Sequence, residues 1–448
     1  MWNIKELSAI GIEFEPQKHS FIYTFPPPKF GKANGVITKP HDTLADLKEF
    51  TLYIHIPFCR MDCSFCSLHR KVLNSDDELD HYLSALQKEL ELVSEKVSQA
   101  TLKAIYFGGG TPSILNAKQV CQILNFIDER FHTVGDIEIC LETAPDIGKD
   151  RVYWKNYFSD IKYYTNKLKL NRISLGIQSV NETSLKKIGR TGGRNAVFNL
   201  LELVNEHFDF YNVDFLLGWP ELSHLNSNNS AFQLIEGIKR LKFEFSLPSI
   251  SLYQLWDTES IRLTKGKENT LQKKDGLLKE KWILQTELFN LGYKPTITSA
   301  IVLDRTANTS EFMKRRHLDF CNIGIGSGAY SILPDSLIYR PREISNYEEC
   351  FLSKNFEFDV VYQLTSLEIF LRKIIMGLRS FDWVLFNIPA DLDEKEIKNV
   401  EIIWQKIKQL NQWHLLEING NQIKLNDNSF LISNEISKFL HPAFYPQK

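Results

Sequence analysis

From Leu52 onward, short runs rich in β-branched and aromatic residues alternate with longer amphipathic ones. The strand-like runs are LYIHI, KAIYFG, DIEICLE, RISLGIQS, NVDFLLG and SISLYQL. Between the first two, Leu79, Tyr82, Leu83, Leu86, Leu90 and Val93 recur at helical spacing, and acidic residues crowd the start of that run, where a helix N-terminus prefers them. Strand and helix in alternation predict βα units and a parallel sheet. The expected fold is α/β: a partial, six-stranded, TIM-like βα barrel.

Alternation within each run separates two faces. One is aliphatic, as in Leu52, Ile54 and Ile56, or Val213, Phe215 and Leu217, and should pack beneath the helices. The other is polar: Tyr53 and His55; Glu138, Cys140 and Glu142; Ser174, Gly176 and Gln178; Asp214 and Gly218; Ser249, Ser251 and Tyr253. Ionisable groups inside a barrel are costly unless they meet ligands. Glu142, Gln178 and Asp214, each late in its strand, therefore point to a site at the C-terminal mouth. The plainer alternative is a core network in which these groups satisfy one another.

The pattern changes at both ends. Residues 1–50 carry FPPPKF and little periodicity, which predicts an irregular N-terminal extension ahead of a barrel over 51–335. Over 336–448, RPREISNYEE reads as a connector. Helices and a hairpin follow, with Asn419-Gly420 as a type I′ turn signal, and together they predict a winged-helix-like α+β segment. Between Tyr362 and Lys448 ten Lys/Arg balance ten Asp/Glu, which does not supply the charge that DNA binding needs.

The whole chain is equally balanced, with 53 basic and 55 acidic residues over 448 positions. It offers no basic field for nucleic acid or anionic lipid, and neither partner is expected. Charges interrupt the N-terminal segment where a signal peptide needs an apolar run, and no stretch has the roughly 20 apolar residues of a membrane span. A cytoplasmic location is expected.

Seven cysteines in a chain of this length are too sparse for a disulfide framework. Three of them, Cys59, Cys63 and Cys66 in YIHIPFCRMDCSFC, suit a 4Fe-4S cluster with one iron left without a protein ligand. A structural zinc site completed by His55 or His69 is the alternative reading of the loop. Gly108, Gly109 and Gly110, followed by Thr111 and Pro112, end the second strand and let backbone groups approach a polar cofactor closely.

These residues resemble the radical S-adenosylmethionine superfamily, and within it the oxygen-independent coproporphyrinogen oxidase-like branch. The resemblance rests on YIHIPFCRMDCSFC, GGGTP, LETAP, SLGIQS, IGRTGG and NVDFLLGWP, with IGIGSGAYS and MGLRSFDW beyond them. It implies that Cys59, Cys63 and Cys66 hold the cluster, that S-adenosylmethionine chelates the fourth iron, and that reduction yields a 5′-deoxyadenosyl radical. It implies two S-adenosylmethionine molecules, one near Tyr53, Phe65, Gly109 and Glu142, the other near Gly110, Thr111, Gln178, Arg190 and Asp214. A low-potential donor such as flavodoxin or ferredoxin is implied as electron partner, with a small molecule as substrate.

Three departures bear on the reaction. Leu68 stands where coproporphyrinogen oxidases carry a further cysteine, Trp256 stands where they carry a small alanine, and RRHLDFCNIGIG lacks the His-Asn-x-x-Tyr-Trp haem motif of the haem-chaperone relatives. The resulting expectation is a radical enzyme that transfers a methyl or methylene unit to an unsaturated carbon. The alternatives are a tetrapyrrole enzyme, by porphyrinogen decarboxylation or haem-opening methylation, and a non-catalytic haem-binding protein. Acid–base residues are not assignable from the sequence.

Overall fold

The computed structural model describes residues 2–14, 25, 44–145, 149–190, 192–218, 227–255, 271–353 and 360–440. Trp256, Trp219, Pro220 and the prolines of FPPPKF lie outside them.

All six expected strands form, with α-helices between them. The chain opens with helix α1 (Ile4–Ala9), followed by strand β1 (Glu49–Ile56) and two short strands, β2 (Phe58–Cys59) and β3 (Lys71–Val72). Helix α2 (Asp76–Lys96) leads into β4 (Thr101–Gly109), α3 (Ala117–Arg130) and β5 (His132–Thr143). Then come α4 (Arg151–Tyr164), β6 (Arg172–Gln178), α5 (Glu182–Lys187), α6 (Gly193–His207), β7 (Phe210–Leu217), α7 (Ser227–Phe245) and β8 (Ser249–Gln254). β1, β4, β5, β6, β7 and β8 pair in that order, all parallel. The aliphatic face is fully buried, as the alternation predicts, with Leu52, Ile54, Ile56, Ile139, Leu141, Val213 and Phe215 all inaccessible to solvent. Ser75 caps α2 by accepting from the Glu78 N–H, and the acidic first turn complements the helix dipole.

The sheet is larger than the six strands the sequence pattern reveals. Among the described residues it has twelve, extended by β9 (Lys294–Ile297) and β10 (Ala300–Val302) beyond β8, and by β11 (Asn322–Ile325), β12 (Tyr330–Ile332), β13 (Ser336–Tyr339) and β14 (Val360–Gln363) beyond β1. β11 is parallel to β1, whereas the outer strands are antiparallel. These strands have three or four residues each, too short for alternation to announce them.

Helix α8 (Leu271–Asn290) precedes β9, and helix α9 (Glu311–Leu318) packs against the barrel's polar face. Phe312 of α9 is fully buried, with its ring 4.8 Å from that of Tyr106, in a cluster with Ala104 and Cys140. Glu138 anchors the start of α9 by accepting from Ser310 Oγ (2.6 Å) and from the N–H groups of Glu311 (3.0 Å) and Phe312 (3.2 Å). Arg172 lies 3.6 Å away on the same carboxylate. This interior carboxylate is thus satisfied by the fold itself.

RPREISNYEE is more than a connector. Its Arg340 pairs, fully buried, with Glu89 of α2, and helix α10 (Ile344–Leu352) begins within it. Glu89 also accepts from the Gly326 N–H (2.8 Å) and the Tyr347 hydroxyl (2.7 Å), which ties IGIGSGAYS to the first βα unit.

In the C-terminal part, helix α11 (Ser366–Leu378), strand β15 (Val384–Leu385), helix α12 (Glu394–Gln412), a β16 (Leu416–Asn419)–β17 (Gln422–Leu425) hairpin and helix α13 (Ser433–Leu440) follow one another. The hairpin loop is Gly420-Asn421, one residue later than expected. Gly420 carries φ +60 at the first central position, as a type II′ turn requires. Among the described residues most buried apolar side chains from Ile4 to Leu440 form one core across these segments, and the Tyr106–Phe312 cluster stands apart from it.

Candidate functional site

Strand β1 delivers the cysteine loop to the barrel mouth. β2 and β3 pair in parallel at its two ends, and the Lys71 N–H to Pro57 O (2.7 Å) and Leu73 N–H to Cys59 O (3.0 Å) bonds close it. Within the loop, Arg70 donates to Cys63 O (2.8 Å) and pairs with Asp62 (2.6 Å). Ser64 Oγ reaches Lys187 O (3.4 Å) beyond β6. Cys59, Cys63 and Cys66 are free thiols. Burial pushes the Cys59 thiol up to about 11 and raises that of Cys63.

The glycine run seats this loop. A Cβ on Gly110 would lie 2.6 Å from Phe58 O and 3.0 Å from Cys59 Sγ, so only glycine allows the contact. Thr111 Oγ1 donates to Cys59 Sγ at 3.5 Å. Gly109 has φ +116, and a Cβ there would lie 2.7 Å from the His55 ring.

His55 and His69, the two histidines a zinc site could recruit, are engaged elsewhere. His55 Nδ1 meets the Tyr53 hydroxyl (3.0 Å) and its Nε2 the His69 carbonyl (3.2 Å), while His69 Nε2 meets Ser327 Oγ (3.1 Å). Among the described residues no three His, Cys, Asp or Glu groups converge on a single-ion position. A cluster of four irons takes each thiolate on a separate metal atom, and three soft sulfur donors on one loop suit that group.

In the barrel interior, Glu142 and Asp214 lie within electrostatic reach of one another. Glu142 accepts from the Tyr106 hydroxyl (2.8 Å) and from the Gly109 N–H. Burial raises it to about 7 despite both bonds. Asp214 accepts from Asn212 Nδ2 at 2.6 Å and is also raised to about 7, by burial and then by the nearby Glu142. Asn212 is held in turn by Ser249 Oγ (2.9 Å) and Ser251 Oγ (3.1 Å). A cavity opens beside this network, lined by polar-face residues including Ser174, Asn212, Ser251 and Tyr253.

Gln178 ends β6 at φ +68, a backbone conformation that costs a residue with a side chain on the order of 1 kcal/mol or more and that recurs at binding sites. The buried Arg190 donates to Pro145 O (3.0 Å) and Gly176 O (3.2 Å). Its charge lowers the Cys63 thiol against the larger effect of burial. The structure thus brings Cys59, Gly110 and Thr111 into contact, joins Gly109 to Glu142, sets Asp214 within electrostatic reach of Glu142, and places Arg190 near Cys63. Phe65 packs on the core at the edge of the loop. From the sequence, Tyr106 reads as an interior residue with no assignable role, and Arg70 draws no notice although its charge pair with Asp62 brackets Cys63 and Cys66.

Comparison with known proteins agrees with this geometry. The Radical SAM superfamily model matches residues 53–224. The "Heme chaperone HemW" of Bacillus subtilis (strain 168) is 24% identical over 392 residues, 86% of this chain and 97% of that protein. The protein of the same name from Haemophilus influenzae is 30% identical over 214 residues, 47% of this chain and about half (51%) of that protein's length. The oxygen-independent coproporphyrinogen III oxidase of Salmonella typhimurium is 28% identical over 175 residues, 39% of this chain and 36% of that protein. Among solved structures, coproporphyrinogen III oxidase (HemN) from Escherichia coli superposes with a TM-score of 0.70 at 20% identity, over 89% of this chain and 92% of that one, which establishes the fold. The chain carries a radical SAM domain, and the relatives it resembles are haem chaperones and coproporphyrinogen oxidases. A radical SAM domain implies a 4Fe-4S cluster and S-adenosylmethionine. Among the described residues no helix is long and apolar enough to cross a membrane.

Proposed function

We propose that this radical SAM chain is a tetrapyrrole-handling protein, which binds haem as its cargo while holding a 4Fe-4S cluster on Cys59, Cys63 and Cys66. The observation that carries the reading is the alignment with a haem chaperone across 97% of that relative's length. The relatives named above are haem chaperones and coproporphyrinogen oxidases, and this moves the reading away from methyl transfer and toward tetrapyrroles.

The cluster and S-adenosylmethionine supply one-electron reductive cleavage of a C–S bond when bound. The chain's own residues bind and orient. Gly110 and Thr111 hold the cysteine loop against the end of β4. Gly109, Tyr106 and Glu142 form one face of a cofactor seat in which an α-ammonium or ribose hydroxyl would replace the missing solvent around the carboxylate. Arg190, fixed by two backbone carbonyls, is oriented to pair with an α-carboxylate. Asp214 and Gln178 stand on the neighbouring strands, where a second S-adenosylmethionine would lie.

His317, the histidine of RRHLDFCNIGIG, is buried, and the contact of its Nδ1 with Met313 O at 2.7 Å fixes the ring.

Titrating anaerobically reconstituted protein with haem and following the Soret band tests the reading. The expected result is one tightly held haem per chain, without S-adenosylhomocysteine when S-adenosylmethionine and dithionite are supplied. Absence of a Soret shift together with S-adenosylhomocysteine formed alongside 5′-deoxyadenosine would restore the methyl-transfer reading.

A further inference from the structure

A second cavity lies behind strand β8, between it, α8 and the start of α13. Tyr253, Thr298 and Ser299 line both this cavity and the interior one, so the two share a wall. Its lining has two characters. Leu217, Leu252 and Phe430 form an apolar side, and Gln254, Lys281 and Glu435 a polar one.

On the polar side Lys281 and Glu435 lie within electrostatic reach of one another, and several buried atoms beside them lack hydrogen-bond partners among the described residues. Both amide atoms of Gln254 are buried, and neither meets a hydrogen-bond partner among the described residues. Glu435 is 2% exposed, and its Oε2 is likewise buried without a partner. Lys281 is 6% exposed. Its Nζ donates to Leu431 O at 3.0 Å and sits 5.0 Å from the centre of the Phe14 ring. Buried polar groups without partners are costly and rare in native folds. A ligand completing this wall must present an acceptor to Lys281 and to the Gln254 Nε2, and a donor to Glu435 and to the Gln254 Oε1. A simple anion would face the Glu435 carboxylate, and a simple cation would face Lys281. A group carrying both charges on neighbouring atoms meets neither objection.

We propose that this cavity binds an α-amino-acid group attached to an apolar body, with the carboxylate toward Lys281, the ammonium toward Glu435 and the body against Leu217, Leu252 and Phe430. The inference stands apart from the haem reading, since it uses neither cluster nor tetrapyrrole. The shared wall places such a molecule one side chain away from the barrel interior.

Isothermal titration of the anaerobically reconstituted full-length protein with L-phenylalanine, phenethylamine and 3-phenylpropionate tests it. L-phenylalanine should bind, and the two analogues, which lack its carboxylate and its ammonium respectively, should each bind at least tenfold more weakly. Lys281→Met and Glu435→Gln should each weaken L-phenylalanine binding at least tenfold. If either variant fails to fold, Gln254→Leu, which removes no charge, should still weaken it severalfold. Failure of L-phenylalanine to bind the unaltered protein, equal binding of either analogue, or binding unchanged in the folded variants would overturn the proposal.

Discussion

The Tyr106 hydroxyl donates to Glu142 Oε1 at 2.8 Å, from one strand of the barrel to the next, at the end where the cysteine loop begins. Burial outweighs this bond and leaves Glu142, like Asp214, titrating near neutrality. A carboxyl whose folded pKa is raised holds its proton more tightly when folded, so its contribution to stability is fully present below its ordinary value and is lost as pH rises through the folded one.

For the cofactor-free protein we therefore expect stability to fall as pH rises from about 4.5 to about 7, to the extent that these two groups govern it. Glu142→Gln should flatten that slope and raise the melting temperature at pH 7.5. Melting curves across this window check the expectation, and an unchanged slope in the variant would refute it.

Gly110→Ala places a methyl group against the Phe58 carbonyl, which is backbone and cannot swing aside, and against the Cys59 sulfur. Far-UV circular dichroism should be retained, while iron and sulfide incorporated on reconstitution should drop by more than half. Full incorporation would show that the loop does not need this seat.

Glu89 and Arg340 form a buried pair, and removing one partner strands the other. Glu89→Gln should cost about 3–5 kcal/mol in urea unfolding, whereas Glu89→Leu combined with Arg340→Met should recover part of that loss. A single variant within 1 kcal/mol of the parent, on the scale of a surface pair, would assign the network no structural weight.

Phe312→Ala removes the fully buried ring that packs on Tyr106 and should destabilise by about 3–5 kcal/mol. The same change loosens the support of the Tyr106–Glu142 bond, so S-adenosylmethionine affinity measured by equilibrium dialysis should weaken as well. Unaltered affinity would separate the two roles.

Much of the site was legible because strand alternation has a strict period. Glu142, Gln178 and Asp214 all stand on the polar face that the period assigns them, and the cysteine spacing with its glycine seat is local in sequence. Contacts made at long range left weaker marks. Glu138 was placed inside the barrel correctly, but that it anchors α9 depends on Ser310, far along the chain, and no spacing rule links the two. Arg340 lay in a stretch whose proline and charges read as a connector, because what distinguishes it is a partner on α2. β11 escaped notice for a different reason: four residues, Asn-Ile-Gly-Ile, hold too few alternations to separate a strand from a loop. The Asn419-Gly420 signal was right about the hairpin and one residue early about its loop, since either register satisfies glycine's preference for positive φ.

β1, the strand that carries the cysteine loop, takes β4 on one side and β11 on the other. During synthesis the first neighbour emerges early and the second only after most of the chain has left the ribosome. Iron and sulfide are therefore best loaded after translation, once Asn322 and the residues beyond it have docked. Chains stalled before that point should leave Cys59 open to alkylation, whereas finished chains should protect it.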